Sequence, residues 1–143
     1  AGVRCRPSAP SSPPHGRGSG AQTAVAIAVP FRNQLPLQDR SAQLQRFIPH
    51  MEAFLSGIPD CRSAIVVVEQ SQDGRKFNRG QLLNIGFALA KEILPEMTSF
   101  ITHDVDLLPS ADMAPIYATP PPHGSAAHFA SVWPKYTYGT FIG

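Results

Sequence analysis

The sequence predicts a doubly wound α/β fold built on a parallel sheet. Three observations carry this. Two short runs, "TAVAIAV" and "AIVVV", are apolar on both faces, as strands in the middle of a covered sheet must be. Each is followed by a segment with apolar residues at helical spacing, and a third apolar run, "TSFITH", closes the order strand, helix, strand, helix, strand. In open sheets of this kind ligands gather outside the carboxyl ends of the strands. The residues at those ends therefore matter most for function.

In "TAVAIAVPF", Val25, Ile27 and Val29 alternate with alanines, and Pro30 ends a run that fits a central parallel strand. Leu44, Phe47, Ile48, Met51, Phe54 and Leu55 then line one face of a helix. Pro49 inside that pattern removes a backbone donor and predicts a kink or a fresh start, and "GIPD" ends the segment. "SAIVVVEQ" is the second strand, β-branched from Ile65 to Val68, and the polar turn "SQDGRK" follows it. "FNRGQLLNIGFALAKEIL" reads as a helix capped by Asn78, with Gln81 placed three residues on for a capping box. Leu82, Leu83, Phe87, Leu89, Ile93 and Leu94 leave it little polar face, which predicts a well-buried helix. After "TSFITH" come a Pro-rich loop, "LLPSADMAPIYATPPPHG", and a further strand in "AAHFASVW".

Residues 1–22, "AGVRCRPSAPSSPPHGRGSGAQ", are rich in Pro, Gly and Ser and predict a disordered stem or linker ahead of a domain at 23–143. A length of 143 residues suits one domain or part of a larger one, and 43% hydrophobic residues support a packed core. The charged fraction, 15%, is below the usual share of about a quarter. A net charge of +2 without a run of Lys or Arg argues against a nucleic-acid partner. Cys5 and Cys61 have no metal-site spacing, and their pairing stays open. No stretch of about 18 apolar residues is present to span a membrane. With neither an initiator methionine nor a signal peptide, the chain is expected to be a fragment.

Asp104 and Asp106 leave the third strand together in "FITHDVDLLP". Two carboxylates at the end of a buried segment repel each other and resist desolvation. A hard divalent cation with oxygen ligands relieves both problems. In an extended segment the two acids point the same way and Val105 points inward. The alternative is a pair of solvated loop acids capping the next turn. A cation there would carry a diphosphate. Arg32 and Arg79 offer planar forks to phosphate oxygens, and the helix start behind Asn78 adds free N–H groups and a favourable dipole. Phe31 and Phe77 offer rings to a flat base. Singly, such arginines read as surface charges and such phenylalanines as core. Together they describe a site for a nucleotide diphosphate with a metal. No Gly-x-Gly-x-x-Gly or Walker-type loop is present, which argues against a dinucleotide or an ATP hydrolase.

"VPFRN", "KFNRGQLLNIGF" and "HDVDLLP", in that order, resemble the β-1,4-galactosyltransferase family, glycosyltransferase family 7. "HDVDLLP" is most similar to the branch that adds galactose to the xylose of proteoglycan linkers. The resemblance spans roughly Val25 to Gly143. It implies a Rossmann-like GT-A nucleotide-sugar-binding domain, here truncated, that uses UDP-galactose and Mn²⁺. By position, Pro30, Phe31, Arg32 and Asn33 would line the uridine-nucleotide site, as would Phe77, Asn78 and Arg79. Val105 and Asp106 would touch the donor, Asp106 as metal ligand, and Asp104 would lie near the ribose or the donor sugar. The implied reaction is transfer of galactose with inversion to a β-1,4 linkage. The metal would offset charge growing on the diphosphate, and a base would take the proton of the acceptor hydroxyl.

Three departures accompany the resemblance. Gln34 stands where the family usually has a basic residue. Phe141 stands where a donor-contacting tyrosine is expected, with Tyr138 nearby. The family's Trp/Gly-rich acceptor segment, its "E-D-D" motif with the base and its metal-binding histidine are expected beyond Gly143, so the fragment is not expected to turn over alone. Trp133 lies too early to be the acceptor tryptophan, and His103, His123 and His128 match nothing and read as loop or strand histidines. The implied partners are UDP-galactose and a glycan acceptor, a xylose-terminated proteoglycan linker or N-acetylglucosamine. The implied location is the Golgi lumen, as a type II membrane protein with its anchor outside this chain. Two other readings stand beside this one: a transferase of another UDP-sugar such as N-acetylgalactosamine, and a non-catalytic nucleotide- or glycan-binding module.

Overall fold

The central strand is divided by side-chain size, and the division sets the layers. In a computed structural model, which describes residues 3–5 and 22–128, strand β2 (Thr23–Phe31) is buried at every position after Thr23. Strand geometry sends alternate residues to opposite faces. Val25, Ile27, Val29 and Phe31 fill one core with Phe47, Met51 and Leu55 of helix α1 (Ser41–Ser56). Ala24 and Ala26 belong to a second core with Leu82 and Ala90 of helix α2 (Arg79–Ile93). The alanines let α2 lie close. An added Cβ on Gly86 would sit 2.9 Å from the Cβ of Ala28.

β2 pairs in parallel with β3 (Cys61–Glu69), from Thr23 opposite Cys61 to Phe31 opposite Glu69. It pairs in parallel on its other side with β4 (Ser99–Thr102), from Val25 opposite Ser99 to Ala28 opposite Thr102. The chain steps outward from β2 through α1 to β3, then returns through α2 across β2 to β4. Crossovers of one hand that reverse direction place their helices on opposite faces. The two cores show that arrangement. It is a small α/β sheet with parallel central strands, in the strand–helix alternation that the periodicity predicts. A 3-10 turn (Ala111–Met113) and the short helix α3 (Ala114–Ala118) follow β4.

Four expectations meet the structure differently. Within the stretch assigned to a stem, β1 (Val3–Cys5) pairs antiparallel with β3, from Val3 opposite Val68 to Cys5 opposite Val66. The sheet is therefore mixed, in the order β1-β3-β2-β4 among the described residues. So short an edge strand is held by backbone pairing, which composition does not report. Pro49 neither ends nor restarts α1, which is one helix from Ser41 to Ser56. Phe47 before the proline and Met51 and Leu55 after it are buried, and this packing outweighs a helix penalty of about 3 kcal/mol. The burial expected along α2 contracts to Leu82, Gly86 and Ala90, a narrow stripe over the alanine face. Ile85 is 40% and Phe87 43% exposed, and the Phe87 ring meets Phe100 edge-on at 5.0 Å. Of "AAHFASVW", Ala126–His128 form no strand, and the remainder, with Phe141, lies outside the described residues. Among the described residues no helix is long and apolar enough to cross a membrane.

The contact at Gly86 gives a stability test. Gly86→Ala gains helix propensity worth about 1 kcal/mol, but its Cβ has no room against a rigid central strand. Overpacking of this kind costs about 1–3 kcal/mol. Urea denaturation should show net destabilisation. Gly80→Ala, where the nearest atom to an added Cβ is the Asn78 Oδ1 at 3.9 Å, should be neutral or stabilising.

Candidate functional site

β2, β3 and β4 run parallel, so their carboxyl ends share one rim. The strand order reverses at β2, with β3 added on one side and β4 on the other, and an open sheet leaves a crevice for a ligand at such a reversal, here between β2 and β4. Three segments build that rim: the one after Phe31, the one from Gln70 to Asn78, and the one from His103 to Leu107.

The first begins with a correction. Phe31 is 4% exposed and continues the Val25, Ile27, Val29 face into the α1 core, so its ring is not presented to a base. Pro30 is buried on the other face. Arg32 is the first side chain to emerge. Its Nη1 donates to the Arg75 carbonyl at 2.7 Å, and its guanidinium lies over the Phe77 ring, 5.4 Å from the centroid. Asn33 faces the helix. Its Nδ2 donates to Ser41 Oγ at 2.7 Å, and its Oδ1 accepts from the Arg40 N–H at 2.8 Å. Gln34 pairs with Gln38 through two backbone bonds of 2.8 Å, closing a small loop beside Arg32.

The second segment is held by a residue that sequence reasoning missed. Gln70 donates its backbone N–H to the Phe31 carbonyl at 2.9 Å. Its Nε2 donates to the Lys76 carbonyl at 3.0 Å, and its Oε1 accepts the Asn78 N–H at 2.8 Å. One side chain thus closes the loop that presents Phe77, Asn78 and Arg79. The signal available was a lone glutamine ending an apolar strand before a turn, and it says nothing about the partners. Asn78 caps α2 as predicted, its Oδ1 accepting the Gln81 N–H at 3.1 Å. The capping box is altered. Gln70 already takes the Asn78 backbone N–H, so Gln81 Oε1 accepts from Asn78 Nδ2 instead, at 3.2 Å. Phe77 remains 40% exposed at the rim.

The third segment carries the acids. Arg79 Nη2 donates to Asp104 Oδ1 at 3.1 Å, and both side chains are nearly half exposed. An exposed pair of this kind is worth about 0–1 kcal/mol. It joins the start of α2 to the end of β4. Val105 is 2% exposed and sits in the α1 core, inward as predicted, so its side chain is withdrawn from the rim. Asp106 is exposed and makes no hydrogen bond or ion pair among the described residues. His103 is not a plain strand histidine. It is 7% exposed, its Nδ1 lies 2.9 Å from the Asp104 carbonyl, and its Nε2 lies 2.9 Å from the Tyr117 hydroxyl. Burial pushes its pKa below the ordinary imidazole value. The Asp104 carbonyl and the charges of Asp104 and Asp106 resist that shift, and His50 adds to it. Burial likewise pushes Tyr117 up to about 12.

A cavity of about 620 Å³ lies along β4. Arg79, His103 and Asp104 are among its walls, whereas Arg32, Phe77 and Asp106 are not. It borders the rim and does not coincide with it. No group of three His, Cys, Asp or Glu side chains placed to hold a metal occurs among the described residues. Both ring nitrogens of His103 are engaged. Asp104 and Asp106 remain as oxygen donors, which fits a hard cation that completes its shell with phosphate oxygens and water.

A family model described as the N-terminal region of glycosyl transferase group 7 matches residues 11–119. The chain belongs to this family. The match starts inside the stretch assigned to a stem. The chain is similar to β-1,4-galactosyltransferase 7 of Drosophila melanogaster, at 36% identity over 135 residues, which is 91% of this chain and 37% of the relative. The human β-1,4-galactosyltransferase 7 is 37% identical over 122 residues, 83% of this chain and 33% of its own length. A xylosylprotein 4-beta-galactosyltransferase of Caenorhabditis elegans is 34% identical over 111 residues, 76% of this chain and 36% of the relative. The chain thus spans about a third of the length of these relatives. No solved structure matches. The resemblance carried by "VPFRN", "KFNRGQLLNIGF" and "HDVDLLP" holds, and three of its motif segments are the three segments of the rim.

Two outcomes follow from this geometry. Gln70→Ala should loosen the loop from Ser71 to Phe77, read as faster amide exchange at Asn78 in a chain that stays folded. Acid should destabilise the protein through His103. Above the ordinary value of about 6.5 the ring is neutral in both folded and unfolded chains. Below it the unfolded chain takes the proton first, so stability falls as pH drops toward the lowered folded value. The stability of the wild type relative to His103→Phe should therefore fall as the pH drops below about 6.5, measured by denaturant titration.

Proposed function

We propose that this chain is the donor-binding part of a metal-dependent galactosyltransferase with a GT-A fold. It takes UDP-galactose and supports transfer of galactose, with inversion, to a β-1,4 linkage. One observation carries the reading: Arg32, Phe77, Arg79, Asp104 and Asp106 emerge on a single rim, at the reversal of strand order, in a chain of glycosyl transferase group 7.

The residues divide the donor between them. Phe77 offers a partly exposed ring to the uracil, and Asn33 and Asn78 keep the flanking loops in place. Arg32 and Arg79 supply the positive charge that a diphosphate meets. A guanidinium has five N–H donors, so Arg79 can keep Asp104 with one and turn others to a phosphate oxygen. The second oxygen of Asp104 is then free to accept a ribose or sugar hydroxyl. Asp106 would hold Mn²⁺, with a further oxygen from the diphosphate. When bound, that ion neutralises charge on the leaving diphosphate as the bond to the sugar breaks. The relative whose name includes xylosylprotein supports a xylose-terminated acceptor over N-acetylglucosamine. The family resemblance implies a Golgi-lumenal enzyme anchored as a type II membrane protein.

Calorimetry of UDP on the full-length protein, with and without Mn²⁺, tests this reading. Mn²⁺ should strengthen binding, and Asp106→Asn should reduce it to the Mn²⁺-free level. Because Asp106 is exposed, the thermal midpoint should barely move, as for other surface changes within about 0.5 kcal/mol. UDP binding that ignores Mn²⁺ would overturn the metal-dependent reading. Parallel transfer assays with UDP-galactose and UDP-N-acetylgalactosamine decide the sugar.

A further inference from the structure

We infer that His103 and Tyr117 are positioning residues, a buried hydrogen-bonded pair that fixes the turn from which Asp104 and Asp106 reach the donor. The inference rests on the donor-binding reading above and goes beyond it by assigning a role to two residues that this reading leaves unused.

The chemistry of the partners fixes the direction of each bond. The Asp104 carbonyl can only accept, so His103 Nδ1 carries the hydrogen across 2.9 Å. In the neutral ring, Nε2 then accepts from the Tyr117 hydroxyl, also at 2.9 Å. The same Asp104 carbonyl accepts the Leu107 N–H at 3.2 Å, the bond that closes the turn around Val105 and Asp106. His103 therefore acts on the oxygen that organises the turn.

The pair is itself immobilised from two helices. The His103 ring packs 5.1 Å from Phe47 of α1, and the Tyr117 ring meets Phe54 of α1 edge-on at 4.9 Å. Tyr117 lies on α3 and is 3% exposed. Further along, His50 of α1 lies with its Nε2 2.8 Å from the Pro109 carbonyl, which ties down the exit from the turn. Val105 plugs the turn into the same core. Packing alone would be met by two phenylalanines at less desolvation cost. The polar atoms present here are aimed at the backbone of the acidic motif. A site for a charged ligand needs its carboxylates held before the ligand arrives.

The test uses the full-length protein, UDP and Mn²⁺. Tyr117→Phe removes one hydroxyl and keeps the ring, and His103→Phe keeps the packing but loses both bonds. Each should weaken Mn²⁺-linked UDP binding by roughly tenfold, as loss of an outer partner does at metal sites. UDP binding without Mn²⁺ should weaken less, through Asp104 alone, and the Leu107 amide should exchange faster. His103→Asn, which retains a donor near the Asp104 carbonyl, should recover part of the loss. Folded variants that bind UDP and Mn²⁺ like the wild type, with unchanged Leu107 exchange, would overturn the inference whatever happens to the thermal midpoint. If His103→Phe does not fold, Tyr117→Phe decides. A wild type without Mn²⁺-linked UDP binding would instead remove the metal-dependent donor reading. Leu107 exchange in the variants would then still show whether the pair holds the turn.

Discussion

The burial of β2 on both faces, with large residues on one and alanines on the other, is the constraint from which the remaining geometry follows. The Val25, Ile27, Val29 and Phe31 face needs a helix standing off at side-chain length, and α1 supplies it. The alanine face admits a helix almost at backbone contact, and Gly86 of α2 meets Ala28 there. Placing α2 so close brings its first turn, with Asn78 and Arg79, down to the carboxyl ends of the strands. There Arg79 reaches Asp104 at the end of β4. A bulkier residue at Ala28 or Gly86 would lift α2 and carry that first turn away from the acids. The candidate site is thus a consequence of how tightly a helix packs some distance from it.

Much of this architecture is legible in the residues because it rests on local periodicity. The strands at Thr23, Cys61 and Ser99 and both long helices follow from apolar spacing, and the position of the acids follows from the strand they end. Asn78 is legible as a cap because its partner, Gln81, lies within one helical turn. The burial of the Phe31 ring is legible by parity: it continues the spacing of Val25, Ile27 and Val29 and lies with them in the core. Other features escape for a different reason. β1 depends on pairing with a strand some sixty residues away (Val3 opposite Val68). Gln70 matters through Phe31, Lys76 and Asn78, and His103 through Tyr117. Those partners become neighbours only after the chain folds.

The charges on the rim differ in how firmly they are committed. Arg32 is engaged by a carbonyl and an aromatic ring, and Arg79 by a carboxylate, all at exposed positions. Such contacts are weak individually. They orient the guanidinium groups without holding them against a stronger anion. Asp106 has no partner among the described residues, and its exposure keeps it hydrated and inexpensive until a cation offers more. The ligand proposed above, a diphosphate with a divalent ion, would meet both conditions, taking the arginines through its oxygens and Asp106 through the metal.

The turn after β4 serves two opposed requirements at once. Its inner side is committed to the core through Val105 and through His103, whose ring is fixed by Tyr117 and Phe47. Its outer side carries two carboxylates that must stay solvated yet well placed. A turn fixed only by its own backbone bond would let the acids wander and would lose binding energy to ordering them when a ligand arrives. Anchoring from within shifts that cost into folding, where the burial of Val105 and the aromatic pair offsets it. The acids can then be exposed and yet held in place, as the donor site proposed above would need before any donor is bound.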